Sequence, residues 1–273
     1  VAPPAVVLLN PLAAQGRAGE LRRPVGDWLA RHAPGVPLLS APSVTEARAL
    51  LTILAPRTRI ALIGGDGTLH AMLPALLKGG LRVGLVPGGQ ANRIGQGLHL
   101  DTLGWTRALM HALHAPTAPV DIGLLETDAT MLHFAGLVRL EAPRPLVLWI
   151  NQRRLALRPP TTRLRICNLP PPIADGDPPE RVLPVLADDQ LMHVLCDPPR
   201  PAWRRLFGPD RRPPARPASS VRVECELPMQ LQVDGEMLLP SRSARVDVLP
   251  GALEMTGSHV PVLDPHRLAD TSW

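Results

Sequence analysis

The stretch from Arg59 to Leu77 constrains the fold more than any other. Arg59-Ile60-Ala61-Leu62-Ile63 is an apolar run of the kind that forms a buried strand in a parallel sheet. Leu69-His70-Ala71-Met72-Leu73-Pro74-Ala75-Leu76-Leu77 places its apolar residues at helical spacing. Gly64-Gly65-Asp66-Gly67-Thr68 lies between them, so the spacing predicts a strand-to-helix turn. Glycine lets the chain turn tightly and lets a ligand approach the backbone. The start of a helix offers unpaired N–H groups and the positive end of its dipole, which suits a phosphate. Thr68 can cap the helix or bind a phosphate oxygen. Asp66 is the unexpected member, because a carboxylate repels a phosphate unless a metal ion or a proton lies between them. The pattern therefore points to Mg²⁺-nucleotide chemistry rather than simple anion binding. A Gly-Asp-Gly sequence alone is only a turn; its place between strand and helix gives it meaning.

A chain of 273 residues suits two domains or one large one, and 45% hydrophobic residues are enough for a sizeable core. Tyrosine is absent and aromatic residues are few, so that core must be Leu, Val, Ile and Ala. Lys78 is the only lysine; a chain this rich in Arg, Ala and Pro reflects base composition rather than function. A net charge of +5 is compatible with anionic lipid, nucleotide or nucleic acid and selects none of them. Cys167, Cys196 and Cys225 are odd in number and far apart, which supports neither a zinc site nor a disulfide framework. They read as buried free thiols in a reducing compartment. No apolar run reaches the ~18 residues of a membrane-spanning helix. Ala5-Val6-Val7-Leu8-Leu9 is too short for a signal peptide and reads as the first strand.

Strand-like and helix-like segments alternate as far as about residue 120. Val6–Leu9, Val36–Ser40, Arg59–Ile63 and Leu81–Val86 read as strands. Leu21–His32, Thr45–Leu54 and Gly104–His114 read as helices, with Ser43 or Val44 at the second start. This order predicts an α/β domain, residues 1–120, built on a parallel sheet with helices on both faces. Ligands of such sheets sit at the carboxyl ends of the strands. Three turns fall there: Asn10–Gly16, Gly64–Thr68 and Pro87–Asn92. Beyond Pro119 the texture is β-rich. Val120–Leu125, Leu146–Ile150, Arg163–Cys167, Leu191–Leu195, Val221–Cys225, Met229–Val233 and Ala244–Leu249 read as strands. Residues 121–273 are expected to form a sandwich-like second domain, whose last strands could return to the first.

These residues together resemble the diacylglycerol kinase catalytic-domain family, particularly the soluble bacterial YegS-like lipid kinases. Asn10-Pro11 with Gly16 is similar to the family's NP…G turn, and Gly64–Thr68 is its GGDGT. Pro87-Gly88-Gly89-Gln90-Ala91-Asn92 resembles its P-x-G-T-x-N-D-F turn. Val120-Asp121-Ile122-Gly123 and Val233-Asp234-Gly235-Glu236 resemble its I-D-hydrophobic-G and its late DGE. The resemblance implies a two-domain kinase dependent on ATP and Mg²⁺, with its active site in the interdomain cleft. By position, Asn10, Gly64, Gly65, Asp66, Gly67, Thr68 and Asn92 would serve the nucleotide, with Ser40 and Gln90 in the places of two nucleotide-touching threonines. Asp66 is also assigned to catalysis, and Glu236 would accept the proton of a lipid hydroxyl. Leu186-Ala187-Asp188-Asp189-Gln190-Leu191 resembles the family's L-x-x-D-G-L metal loop. Asp189 would then ligate Mg²⁺ by its carboxylate, and Leu186 and Leu191 by their carbonyls. The residues by themselves read equally as an acidic β-turn. The implied partners are ATP and a lipid acceptor at a membrane surface, with no nucleic acid. The implied location is cytoplasmic, or peripheral at the inner membrane face.

The chain also departs from the family pattern. Gln90 replaces Thr, Arg93 replaces the acidic residue after Asn92, and Gln190 replaces Gly. His70 stands where the family has Asn, and reads as a helix-surface or capping histidine. The segment from Gly123 to Arg163 is shorter than in the family. Trp203, Phe207, Arg204, Arg205, Arg211, Arg212 and Arg216 interleave aromatic and basic groups, as either a lipid-interface segment or a plain surface loop. Two other functions share parts of the pattern. An NAD kinase has the GGDGT turn, but the Asn-Glu pair that family uses to hold NAD is not found here. A degenerate kinase fold would bind nucleotide or lipid without turnover.

Overall fold

A computed structural model describes residues 4–90, 92–98, 100, 103–157, 160–169, 188–197 and 215–257. The alternating segments form β1 (Ala5–Leu9), α1 (Arg22–His32), β2 (Leu38–Ser40), α2 (Val44–Thr52), β3 (Arg59–Gly64), α3 (Asp66–Gly79), β4 (Arg82–Pro87), α4 (Arg93–Gly97) and α5 (Trp105–His114). A 3₁₀ turn, Arg17–Leu21, leads into α1. Ser43, one of the two starts offered by the sequence, caps α2 by accepting the Glu46 N–H. The rest is β-structure: β5 (Thr117–Thr127), β6 (Met131–Phe134), β7 (Leu137–Glu141), β8 (Val147–Ile150), β9 (Arg153–Leu155), β10 (Arg163–Cys167), β11 (Met192–Asp197), β12 (Arg216–Ala218), β13 (Ser220–Val233), β14 (Glu236–Met237) and β15 (Ser241–Thr256). The chain divides into two units. One holds Val1–Thr68, Ala75–Pro119 and Leu253–Trp273; the other holds Leu69–Pro74 and Val120–Ala252.

In the first unit the strands lie in the order β2-β1-β3-β4, and the end of β15 adds to β4 through Glu254 and Met255. All these pairings are parallel. Every residue of β3 is buried, because helices cover both faces of a sheet joined by crossovers. On one face Trp28 and Leu29 of α1 and Leu109 and Ala112 of α5 pack with Val7, Ala61 and Val86. Gly84 lets α5 lie close to β4: a Cβ there would come within 2.4 Å of the Ala112 Cα. The chain leaves β1 toward β2 on one side, while β3 lies on the other. The carboxyl ends of β1 and β3 therefore flank the switch point, where open α/β sheets bind ligands. The amino ends carry structural charge instead. Arg59 Nη1 donates to the Ala115 carbonyl at 2.7 Å, a cation at the carboxyl end of α5. Burial chiefly, with neighbouring Arg82, lowers the Arg59 pKa.

In the second unit β13 serves two pairings. Ser220–Glu224 pairs with β8 and β15, and Gln230–Val233 pairs with β7. The register breaks between Glu224 and Met229, where Pro228 has no N–H to give a ladder. The sequence reads as two strands here; the structure has one strand with an irregularity. Its two parts contribute Val221 and Val223, and Met229, Leu231 and Val233, to one core with Val138, Leu164 and Val246. β6 and β7 answer to no strand read from the sequence. Gly123 is fixed by β6: a Cβ would meet the Phe134 ring at 2.1 Å, and the two residues pair across the strands.

Candidate active site

Gly64 ends β3, Gly65 is the N-cap, and Asp66 is already the first residue of α3. The strand-to-helix turn is thus a single residue, and the helix begins three residues before the apolar periodicity shows it. Two of these glycines are dictated by protein packing. A Cβ on Gly64 would fall 2.6 Å from the Thr68 side chain, and one on Gly65 would fall 2.8 Å from the Gly89 Cα. The Gly88 N–H donates to the Gly64 carbonyl at 2.9 Å. The turn after β4 is therefore laid directly on the turn after β3.

Asp66 fastens the two turns. Its Oδ2 accepts the Arg93 N–H at 2.8 Å and its Oδ1 accepts the Ile94 N–H at 2.9 Å. Both donors belong to the first turn of α4, whose orphan N–H groups need an acceptor. Asn92, with φ 46°, braces the same turn: its Oδ1 accepts from Gly89 N at 2.8 Å and its Nδ2 donates to Gly89 O at 2.9 Å. Asn10 reaches across from the end of β1. Its Oδ1 accepts the Leu12 N–H, which fixes the amide, and its Nδ2 donates to Thr68 Oγ1 at 2.8 Å. Gly67 lies in the first turn of α3. Ser40 ends β2 in register with Leu9, as Ile63 does from the other side. Gln90 is exposed. The first unit thus gathers Asn10, Gly64, Gly65, Asp66, Gly67, Thr68 and Asn92, and places Ser40 at the same strand level.

The acidic loop Asp188-Asp189-Gln190 lies in the second unit. Asp189 Oδ1 accepts the Leu191 N–H at 2.9 Å, closing an Asx turn. Gln190 holds φ 62°, the left-handed region that glycine fills more cheaply, and its N–H donates to Asp121 Oδ2 at 2.6 Å. Gly251 N donates to Asp121 Oδ1 at 2.7 Å. Burial pushes the Asp121 carboxyl up despite these two bonds, and the charges of Asp189 and Asp188 add to the rise. A cation among these oxygens would relieve that repulsion, so a hard divalent ion fits the donor chemistry. Among the described residues no three His, Cys, Asp or Glu side chains are grouped to hold an ion by themselves. Leu186 and the Trp203–Phe207 segment lie outside the described residues.

The Val233-Asp234-Gly235-Glu236 motif is a two-residue hairpin joining β13 to β14. Asp234 (φ 48°) and Gly235 (φ 101°) both take positive φ, as a type I′ turn requires. The Asp234 side chain is 1% exposed. Its Oδ1 accepts from Gly136 N at 3.0 Å and Leu137 N at 2.8 Å, and its Oδ2 from Ala135 N at 3.0 Å. Glu236 follows on the outside, with its side chain 55% exposed. His70 is not on a helix surface. It is 9% exposed, with Nδ1 3.5 Å from Asp234 Oδ2 and Nε2 3.9 Å from Glu236 Oε2. Sequence reasoning missed Asp234 as an anchor and His70 as its neighbour. The Asp-Gly pair ahead of Glu236 was the available signal for the anchor; nothing local signals the histidine.

The family model of the diacylglycerol kinase catalytic domain matches residues 4–125. That span contains both glycine turns, Asn10, Ser40 and Asp121, and stops short of Asp189 and Glu236. No curated protein matches the chain. Among solved structures, a putative diacylglycerol kinase from Bacillus anthracis str. Sterne is similar with a TM-score of 0.73 and 17% identity, over 94% of this chain and 97% of that one. A crystal structure of a diacylglycerol kinase from the same organism is similar with a TM-score of 0.69 and 17% identity, again over 94% and 97%. At this identity the likeness is one of fold. Among the described residues no helix is long and apolar enough to cross a membrane. Residues 4–125 are thus similar to the diacylglycerol kinase catalytic domain, and the chain has the α/β fold of these solved bacterial structures.

Proposed function

We propose that this chain is an ATP- and Mg²⁺-dependent kinase that transfers the γ-phosphate to a lipid hydroxyl, of diacylglycerol or a sphingoid-like lipid. The observation that carries the reading is the pair of glycine turns pinned together by Asp66, with the Thr68 hydroxyl held by Asn10. Thr68 Oγ1 already accepts a hydrogen bond, so its own O–H is available to donate to a phosphate oxygen. The first turn of α3 adds N–H groups without helical acceptors, and Gly65 and Gly67 keep side chains away from them. Ser40 and Gln90 are assigned to the nucleotide beside them. Asp189 by its carboxylate and Leu191 by its carbonyl are the oxygens that would hold Mg²⁺, Leu186 joining them by resemblance. Bound there with ATP, the ion would offset phosphate charge. Glu236 takes the proton: the acceptor O–H bond breaks as its oxygen bonds to phosphorus, and ADP leaves.

A second reading has its own observation. The Asp66 oxygens each accept a backbone N–H, and Arg93 puts a cation where the family has an acid. A nucleotide-binding regulator without turnover would tolerate both. Labelled ATP, Mg²⁺ and a mixed lipid extract, run beside Glu236→Ala, separate the readings. The kinase gives a labelled lipid that Glu236→Ala reduces by roughly 100-fold or more, with ATP binding retained. Nucleotide binding with no labelled lipid favours the regulator.

A further inference from the structure

The sequence gives His70 no chemistry, yet the fold buries it between two carboxylates. We propose that His70 is a positioning residue for Glu236, oriented in turn by Asp234; the proposal rests on the reading of Glu236 as proton acceptor. Asp234 is the fixed point. Its side chain is almost wholly buried and three backbone N–H groups hold it, so its position is fixed. The Nδ1 edge of the ring faces Asp234 at 3.5 Å, which favours the proton on Nδ1. That turns the Nε2 edge to Glu236, 3.9 Å away. Both separations exceed good hydrogen-bond length, so the link acts through charge and orientation, with contact tightening on substrate binding.

Glu236 needs such a guide. It sits on a two-residue strand at a hairpin end with a half-exposed side chain. The His70 side chain is within ion-pair distance of it, and the pairing is ionic when the ring carries both protons. A glutamate without a partner samples several rotamers, and a base misplaced by an ångström loses much of its effect. When the ring is protonated on both nitrogens, its Nε2–H draws Oε2 and leaves Oε1 for the incoming hydroxyl. The proton still goes to Glu236; His70 selects the rotamer that receives it. Pro74, four residues on, cannot donate to the His70 carbonyl, so this turn of α3 lacks one helical bond.

The test compares wild type, His70→Ala, His70→Gln, Glu236→Ala and Glu236→Gln in full-length protein, using the phosphoryl-transfer assay and ring ¹⁵N NMR of His70. His70→Ala should lower kcat by roughly 10-fold to 100-fold with the KM for ATP unchanged. His70→Gln, which keeps a donor and most of the volume, should recover part of that loss. In Glu236→Gln the His70 Nε2 resonance should move, a readout independent of turnover. Wild-type kcat in a folded His70→Gln and His70→Ala, or an Nε2 resonance indifferent to Glu236→Gln, overturns the proposal. If Glu236→Ala keeps full activity, the reading of Glu236 as base fails first and takes the proposal with it. If Glu236→Ala is inactive while the His70 variants are normal, only the positioning role fails.

Discussion

Asp66-Gly67 and Asp234-Gly235 are the same dipeptide in two settings. Each aspartate accepts backbone N–H groups from another segment: Asp66 from Arg93 and Ile94, Asp234 from Ala135, Gly136 and Leu137. The backbone around them differs completely. Asp66-Gly67 opens a helix, because Leu69 onward can bury an apolar stripe. Asp234-Gly235 takes positive φ twice and closes a hairpin, because β-strand residues flank it on both sides. The comparison teaches that the carboxylate's work, tying down a neighbouring turn, is independent of the local conformation. The residue after each pair then decides its use: Thr68 beside the proposed phosphates, Glu236 beside the proposed acceptor.

The largest effect should come from breaking the deeper anchor. Asp234→Ala leaves three N–H groups without their acceptor in a site closed to water, and should cost about 3 kcal/mol in a denaturant melt. Asp66→Ala removes two such bonds at a helix start nearer solvent. It should cost about 1–2 kcal/mol and loosen the turn after β4, weakening nucleotide binding by titration. Equal losses for the two variants would deny that burial ranks them.

The glycines sharpen the contrast. Gly235 has φ 101°, so Gly235→Ala should destabilise by about 1–2 kcal/mol. Gly67 lies within a helix, so Gly67→Ala should be neutral or stabilising by up to ~1 kcal/mol while reducing ATP affinity. A Gly67→Ala variant that melts early would mean its backbone is not helical in solution.

Legibility follows the range of the interactions. β1, β3 and β4 are readable because a covered parallel sheet needs continuous apolar runs, and the glycine turns because strand and helix periods meet there. The start of α3 is hidden: Asp66 and Gly67 have turn-like propensities, and the donors that satisfy the Asp66 carboxylate there come from α4. The unity of β13 is hidden by Leu227-Pro228, which reads as a break and is a bulge between two pairings. His70 reads as a surface residue because its neighbours, Asp234 and Glu236, are distant in sequence and only the fold brings them to it.

The smallest effect concerns a third carboxylate that tests whether burial or bonding sets these sites apart. Asp128 is exposed, yet it accepts from the Ser241 and Ser243 hydroxyls at 2.6 Å each and from the Arg242 N–H at 3.0 Å. Those bonds, the Ser241 hydroxyl first, bring its pKa down to about 2. A carboxyl depressed by folding binds its proton less readily in the native state than in the unfolded chain. Its contribution is therefore present above the unfolded value near ~4 and is lost as pH falls toward the folded value. Asp128→Asn should make stability fall less steeply than in wild type between those two pH values, with the slope near neutral pH unchanged. Side-chain carboxyl NMR of Asp128 should show a midpoint below the ordinary aspartate range. A normal midpoint would mean that the two serine hydroxyls turn to water in solution, and that exposure rather than bond count governs the aspartates of this chain.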